Sequence, residues 1–223
     1  QSMNHYFRFI SERYKKPIYV SENGMSSADV ISVDGKLLGT WSYSRANRIF
    51  VSYDDLSPKL VEALIATEDE RFHSHSGIDY IALFRAIIKR GVLQQKSAGG
   101  GSTITQQLAK QLYSERVSTT IERLFQKPIE WVIATKLERL YSKDEILLMY
   151  LNQFDFLYNA VGIKSAAQVY FSTTPANLKL EEAATLVGMC KNPSLYNPVR
   201  HKERTTTRRN VVLNQMYKYD YIT

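Results

Sequence analysis

Helix-start signals recur along this chain, each followed by apolar residues at helical spacing, and together they leave little room for a sheet protein. Ser57-Pro58 puts an N-cap residue before a proline at the first helical position. Thr103 with Gln106, Thr119 with Glu122 and Ser142 with Glu145 form capping boxes, where side chain and backbone satisfy each other's orphan groups. Behind them come Val61, Leu64 and Ile65, then Ile121, Leu124 and Phe125, then Ile129, Val132, Ile133, Leu137 and Leu140. The fold class predicted is mainly α. Residues 28–53 read differently: "ADVISV", the turn pair Asp34-Gly35, "KLLGTWSY" and "NRIFVSY" predict a small β element near the N-terminus. Pro128 falls inside a helical pattern, where proline costs roughly 3 kcal/mol, so a kink or restart is expected near Lys127.

Residues 68–77 read "EDERFHSHSG" and concentrate titratable groups where the first helix ends. Glu68 is in phase with Val61, Leu64 and Ile65, which puts it on the inward stripe. A carboxylate there is costly unless it has a partner or a chemical role. The spacing equally allows a helix-end glutamate that turns to solvent. Further on, "AGGGSTITQQLAK" is a glycine-rich run opening a helix, whose free N–H groups suit an anion. It is not a P-loop, because the Gly-Lys-[Ser/Thr] arrangement is absent.

Composition narrows the partners. The 223 residues suffice for one large domain or two lobes sharing a cleft, and 44% hydrophobic content supports a packed core. A net charge of +7 suits an anionic partner: nucleic acid, a phosphorylated substrate or a membrane surface. No recognition helix, RNA-binding sheet motif or zinc finger is visible, so no nucleic acid partner is expected. One cysteine excludes an intrachain disulfide, and with four histidines it argues against structural zinc. No apolar run is long enough to span a bilayer. The segment 79–92 carries Tyr80, Leu83, Phe84, Ile87 and Ile88 on one face, with Arg85, Lys89 and Arg90 off it. That pattern fits an interfacial helix or a core helix with a solvated face. "NHYFRFISERYKK" near the start also suits an interface.

The segments "EDERFHSHSG", "GGSTITQQLAK", "KPIE", "SKDEILLMYLN", "GIKSAAQVYF" and "EEAATLVGMCKNPSLYNP" occur in that order. Together they resemble the peptidoglycan glycosyltransferase domain of class A penicillin-binding proteins and of the monofunctional transglycosylases. The resemblance implies a lysozyme-like, two-lobed helical domain over residues 28–223, preceded by a juxtamembrane segment and linker over 1–27. It implies polymerisation of lipid II: the acceptor's 4-hydroxyl attacks the anomeric carbon of a glycan chain held on polyprenyl pyrophosphate, with inversion. The expected site is the extracytoplasmic face of a bacterial cell membrane, reached through a transmembrane anchor outside this sequence. A transpeptidase domain is an expected neighbour beyond residue 223.

Residue by residue, the resemblance makes Glu68 the catalytic base and Asp69 its supporting neighbour on the substrate side. Glu130 matches the second essential glutamate, a candidate ligand for a divalent metal, Mg2+ or Mn2+. Ser102, Thr103, Gln106, Gln107 and Lys110 fall on the phosphate and sugar path, and Lys127 near the pyrophosphate. Phe72, His75, Gly77 and Asn152 are expected to be structural near the site. The family's arginine maps to Arg123 in preference to Arg116. This chain departs from the family at Gln126-Lys127, where Arg-Lys is usual, at Pro128, and at Phe156-Leu157, where Phe-Gly is usual. The alternative is a muramidase or lytic transglycosylase of related helical fold. Two separated glutamates among cations favour the pyrophosphate donor over it.

Overall fold

The computed structural model describes residues 19–20, 27–31, 37–42, 49–91, 101–113 and 120–223. Side chains are described from residue 49 onward, except those of 87, 89–91 and 120–125. Packing divides the chain into residues 1–47 and 48–223.

In the first unit, β1 (Tyr19–Val20), β2 (Ser27–Ile31) and β3 (Leu37–Ser42) form an antiparallel sheet in that order. Ala28 faces Val20 on one side and Trp41 on the other, and the register slips between Val30 and Ile31. The expected strand at "NRIFVSY" does not form: residues 49–52 lie outside any strand, and Tyr53–Asp55 is a 3-10 turn. Its backbone groups are satisfied elsewhere. The Asn152 carboxamide accepts from Val51 N–H at 3.2 Å and donates to Val51 C=O at 3.1 Å. A residue whose donor and acceptor are both taken by a side chain has nothing left for a ladder.

Among its described residues, the second unit holds eight α-helices: α1 (Pro58–Glu68), α2 (Tyr80–Gly91), α3 (Ile104–Tyr113), α4 (Thr120–Leu140), α5 (Lys143–Gln153), α6 (Ile163–Phe171), α7 (Leu180–Cys190) and α8 (Lys202–Lys218). The mainly α reading stands. Every residue of α7 from Ala183 to Cys190 is buried, which makes it the central helix, enclosed on all sides. Pairwise packing sets α1 against α7 and α8, and α3 against α4 and α5. Leu60, Leu64, Phe72, Ile104, Leu108, Ile146 and Leu186 fill the common core. The box at Ser142 forms as read: its hydroxyl accepts from Glu145 N–H at 3.3 Å, and the Glu145 carboxylate accepts from Ser142 N–H at 2.7 Å. Only half of the box at Thr103 forms, because Gln106 spends its amide elsewhere. Thr119 lies outside the described residues.

Pro128 does not restart the helix: α4 runs through it from Thr120 to Leu140. The proline is exposed, so its ring and the hydrogen bond it removes fall on the solvent side. At the second departure, Leu157, Tyr158 and Asn159 all take left-handed backbone angles, with φ of 66°, 52° and 62°. Asp155 accepts from Leu157 N–H at 2.8 Å, and Phe156 N–H donates to Ala160 C=O at 2.9 Å. The turn that a glycine would ease is thus closed by three strained residues held by hydrogen bonds.

Candidate active site

The site begins where α1 stops. Glu68 is its last residue and Asp69 its C-cap. These neighbours face different partners. Asp69 is buried; one carboxylate oxygen accepts from His75 Nε2 at 2.9 Å and the other from the N–H of Ile104 at 3.0 Å. It anchors the loop after α1 to the positive end of α3, where a carboxylate is electrostatically favoured. His75 completes the brace. Its Nε2 carries the proton toward Asp69, because its Nδ1 accepts from Gly77 N–H at 3.2 Å.

Gly77 adopts φ +92°, and a Cβ there would stand 2.9 Å from the backbone of Ala134 in α4. Only glycine permits both the backbone angle and the approach. Its carbonyl accepts from Thr103 Oγ1 at 2.7 Å and from Gln106 Nε2 at 3.3 Å. Phe72 is fully buried under the loop, and the Lys143 ammonium lies 4.3 Å from the centre of its ring. Lys143 also donates to His75 C=O at 2.7 Å and pairs with Glu138 at 2.8 Å. Phe72, His75 and Gly77 all pack or bond within this loop. Asp69, Thr103 and Gln106 face the same brace, buried and bonded within the protein. Asn152 is structural too, holding Val51 rather than the loop.

Glu68 stands apart from this brace. Its carboxylate accepts from Gln107 Nε2 at 3.0 Å on one oxygen and faces Arg208 Nη2 at 3.4 Å on the other. The side chain of Glu68 is 15% exposed and that of Arg208 11%, so the pair sits at a rim, neither sealed nor free. Of the two sequence readings, the inward one holds. Arg208, on α8, is a site residue that the sequence reading missed. Its stem crosses α7 where Gly188 leaves room: a Cβ on Gly188 would meet Arg208 Cγ at 3.1 Å. Its Nε donates to Gly188 C=O at 3.4 Å. Behind Gln107 lies buried Tyr150, whose hydroxyl donates to Gln107 Oε1 at 3.1 Å. Burial pushes this phenol well above its ordinary range, and burial likewise raises the Cys190 thiol beside it.

A second carboxylate lies at the opening of α3. Glu130, on α4, is buried, and Lys127 one turn earlier pairs with it at 2.7 Å while donating to Ser102 Oγ at 3.1 Å. Segment 102–107 therefore carries both centres: Ser102 meets the Lys127–Glu130 pair, and Gln107 meets the Glu68–Arg208 pair. Lys110 is exposed, one turn beyond Gln107. Arg116 and the side chain of Arg123 lie outside the described residues. Among the described residues, no group of three or more His, Cys, Asp or Glu side chains could hold a metal. Glu130 offers one buried carboxylate, an oxygen ligand of the type a hard divalent cation takes.

Comparisons with known proteins bear on the family of the chain. The family model described as Transglycosylase matches residues 34–217. The chain is 41% identical over 194 residues to penicillin-binding protein 1A of Escherichia coli (strain K12), across 87% of this chain and 22% of that protein. It is 42% identical over 200 residues to penicillin-binding protein 1A of Aquifex aeolicus (strain VF5), across 88% of this chain and 26% of that one. With penicillin-binding protein 2a of Streptococcus pneumoniae (strain D39 / NCTC 7466), identity is 43% over 173 residues, across 78% and 22%. The chain thus spans about a quarter of the length of these relatives. The crystal structure of penicillin-binding protein 1A from Haemophilus influenzae aligns over 86% of this chain and 18% of its own, with TM-score 0.47 and 26% identity. With the family model covering most of its length, this chain belongs to the transglycosylase family.

Proposed function

We propose that the chain is a peptidoglycan glycosyltransferase that polymerises lipid II into glycan strands. The observation that carries this is a division of labour between two carboxylates. Glu68 sits at a rim, facing an amide donor and a guanidinium, while Glu130 is buried beside a lysine and a serine. The acceptor's 4-hydroxyl gives its proton to Glu68 as its oxygen bonds to the anomeric carbon. The bond from that carbon to pyrophosphate breaks on the opposite face, and its electron pair leaves with the pyrophosphate oxygen. Charge growing there needs fixed cations more than an acid. Lys127 and Lys110 would supply them, with Ser102 as a donor. Lys127 is half-exposed, so its ammonium is open to an entering phosphate while paired with Glu130. Magnesium or manganese, when bound, would neutralise part of the pyrophosphate charge, with Glu130 its ligand from this chain.

The muramidase alternative needs a carboxylic acid that donates to a leaving sugar oxygen. Glu68 faces an amide N–H and a guanidinium, a setting for an acceptor. The assay gives purified protein lipid II with magnesium and, separately, preformed glycan. Polymer from lipid II and no fragments from glycan is the expected result. Glu68→Gln should reduce the rate by at least about 10³-fold with the fold intact, since an amide cannot take the proton. Fragments without polymer would reject the reading.

The membrane belongs to the proposal because the substrates are lipids. Among the described residues no helix is long and apolar enough to cross a bilayer. An anchored position at the extracytoplasmic face is part of this reading, and contact with a membrane surface is supported by α2, where Tyr80, Ile81, Phe84 and Ile88 are exposed. The aromatic and basic segment over residues 4–16 lies outside the described residues. The relatives are about four times as long as the stretch they share with this chain, and a transpeptidase domain as its neighbour belongs to this proposal.

A further inference from the structure

The bond between Glu68 and Gln107 works in only one orientation. A carboxylate poised to receive a proton can only accept hydrogen bonds, so Gln107 must present Nε2 to it, as it does at 3.0 Å. A carboxamide is nearly symmetric in shape. Turned over, it would set Oε1 against the Glu68 oxygens and remove the donor. Packing alone distinguishes poorly between the two orientations, because the oxygen and the amino group occupy similar space.

Tyr150 distinguishes them. Its hydroxyl reaches Gln107 Oε1 at 3.1 Å from the side away from Glu68. The ring is fully buried on α5, with Phe154 at 5.8 Å between ring centres, so the hydroxyl cannot swing away without moving the core. The Cys190 sulfur is also beside it, but a thiol is a far weaker acceptor than an amide oxygen. The environment keeps this phenol protonated. Burial is the main cause, and the neighbouring Cys190 and Glu68 push in the same direction. A phenol that keeps its proton remains a donor, and a donor there demands Oε1 opposite it.

We propose that Tyr150 is a positioning residue for glycosyl transfer: it fixes the orientation of the Gln107 amide and, through it, the Glu68 carboxylate that receives the acceptor's proton. This rests on Glu68 being the base. Tyr150 reaches no substrate in this scheme. Its role passes through one hydrogen bond to Gln107 and one from Gln107 to Glu68.

The test is a double-mutant cycle on the purified chain, with glycan formation from lipid II as the readout and thermal unfolding as a control. Tyr150→Phe keeps the ring and should unfold within a few degrees of wild type. Its kcat should fall about twofold with KM for lipid II unchanged, because an amide that samples both orientations presents Nε2 to Glu68 only part of the time. Gln107→Ala should also lower kcat, and adding Tyr150→Phe to it should cost nothing more. Equal losses from Tyr150→Phe in both backgrounds, with wild type active, would overturn the proposal and make Tyr150 an element of the core alone. A wild-type chain that makes no polymer would instead remove the base assignment on which the proposal stands.

Discussion

Beside Gln107, a second side chain decides how Glu68 sits in its rim. Arg208 arrives from the last helix, 140 positions along the chain, and its guanidinium is divided between Gly188 C=O and the Glu68 carboxylate. A planar fork can serve two acceptors in this way, whereas an ammonium is a point charge on a flexible stem. Arg208→Ala should therefore lower kcat by about 10²-fold, in the range for losing one preorganised electrostatic contact. Arg208→Lys should recover part of that loss. Steady-state rates on lipid II within twofold of wild type for Arg208→Ala would show the pairing to be incidental. Glu68 was legible in the sequence because its phase relative to Leu64 and Ile65 and its place in "EDERFHSHSG" agree. Arg208 was not, since Arg204 and Arg209 lie close by and no local mark says which arginine reaches back. The mark is Gly188, a gap on another helix, and pairing a gap with a stem requires the fold.

At the scale of elements, the signals that held were those complete within one turn of chain. The Ser142 box and the Ser57-Pro58 start are local agreements between neighbours, and both helices begin where they were read. Expectations failed where a distant group intervened. The strand at "NRIFVSY" was lost to the Asn152 carboxamide, and the Thr103 box was half-used because the Gln106 amide goes to the Gly77 carbonyl. The turn after α5 shows the opposite case, a departure readable in sequence whose structural solution was not. Left-handed backbone costs an L-residue about 1–2 kcal/mol, and Leu157, Tyr158 and Asn159 all adopt it. Leu157→Gly relieves one of the three, against an entropic cost of about 0.5–1 kcal/mol and the loss of a half-buried side chain. The net expectation is a thermal midpoint equal to wild type or a few degrees higher, read by calorimetry. A clear fall would mean that the Leu157 side chain, rather than the hydrogen bonds of Asp155 and Ala160, holds the turn.

For the molecule as a whole, the question is how a helical unit meets substrates dissolved in a bilayer. Positions 80, 81, 84 and 88 follow one helical face, and all four apolar side chains stand out from the protein: Tyr80 at 69%, Ile81 at 58%, Phe84 at 64% and Ile88 at 38% exposure. Arg85 is exposed within the same stretch, giving the cation that an anionic surface attracts. An ordinary solvated helix would turn this stripe to the core, and α2 does not. Asp79 secures the start of the helix by accepting from Ile81 and Ala82 N–H, both at 3.0 Å, so the apolar stripe begins at a fixed point. Burying a side chain of this size is worth on the order of 2 kcal/mol, less at an interface than in a core. Replacing Ile81 and Phe84 together by serine should therefore weaken binding to anionic lipid vesicles by at least about tenfold, measured by sedimentation. Both positions are exposed, so thermal stability should hardly change. The rate on lipid II should fall in vesicles and persist in detergent, where the substrate no longer has to be reached at a surface. Unchanged sedimentation would place the membrane contact on another part of the chain.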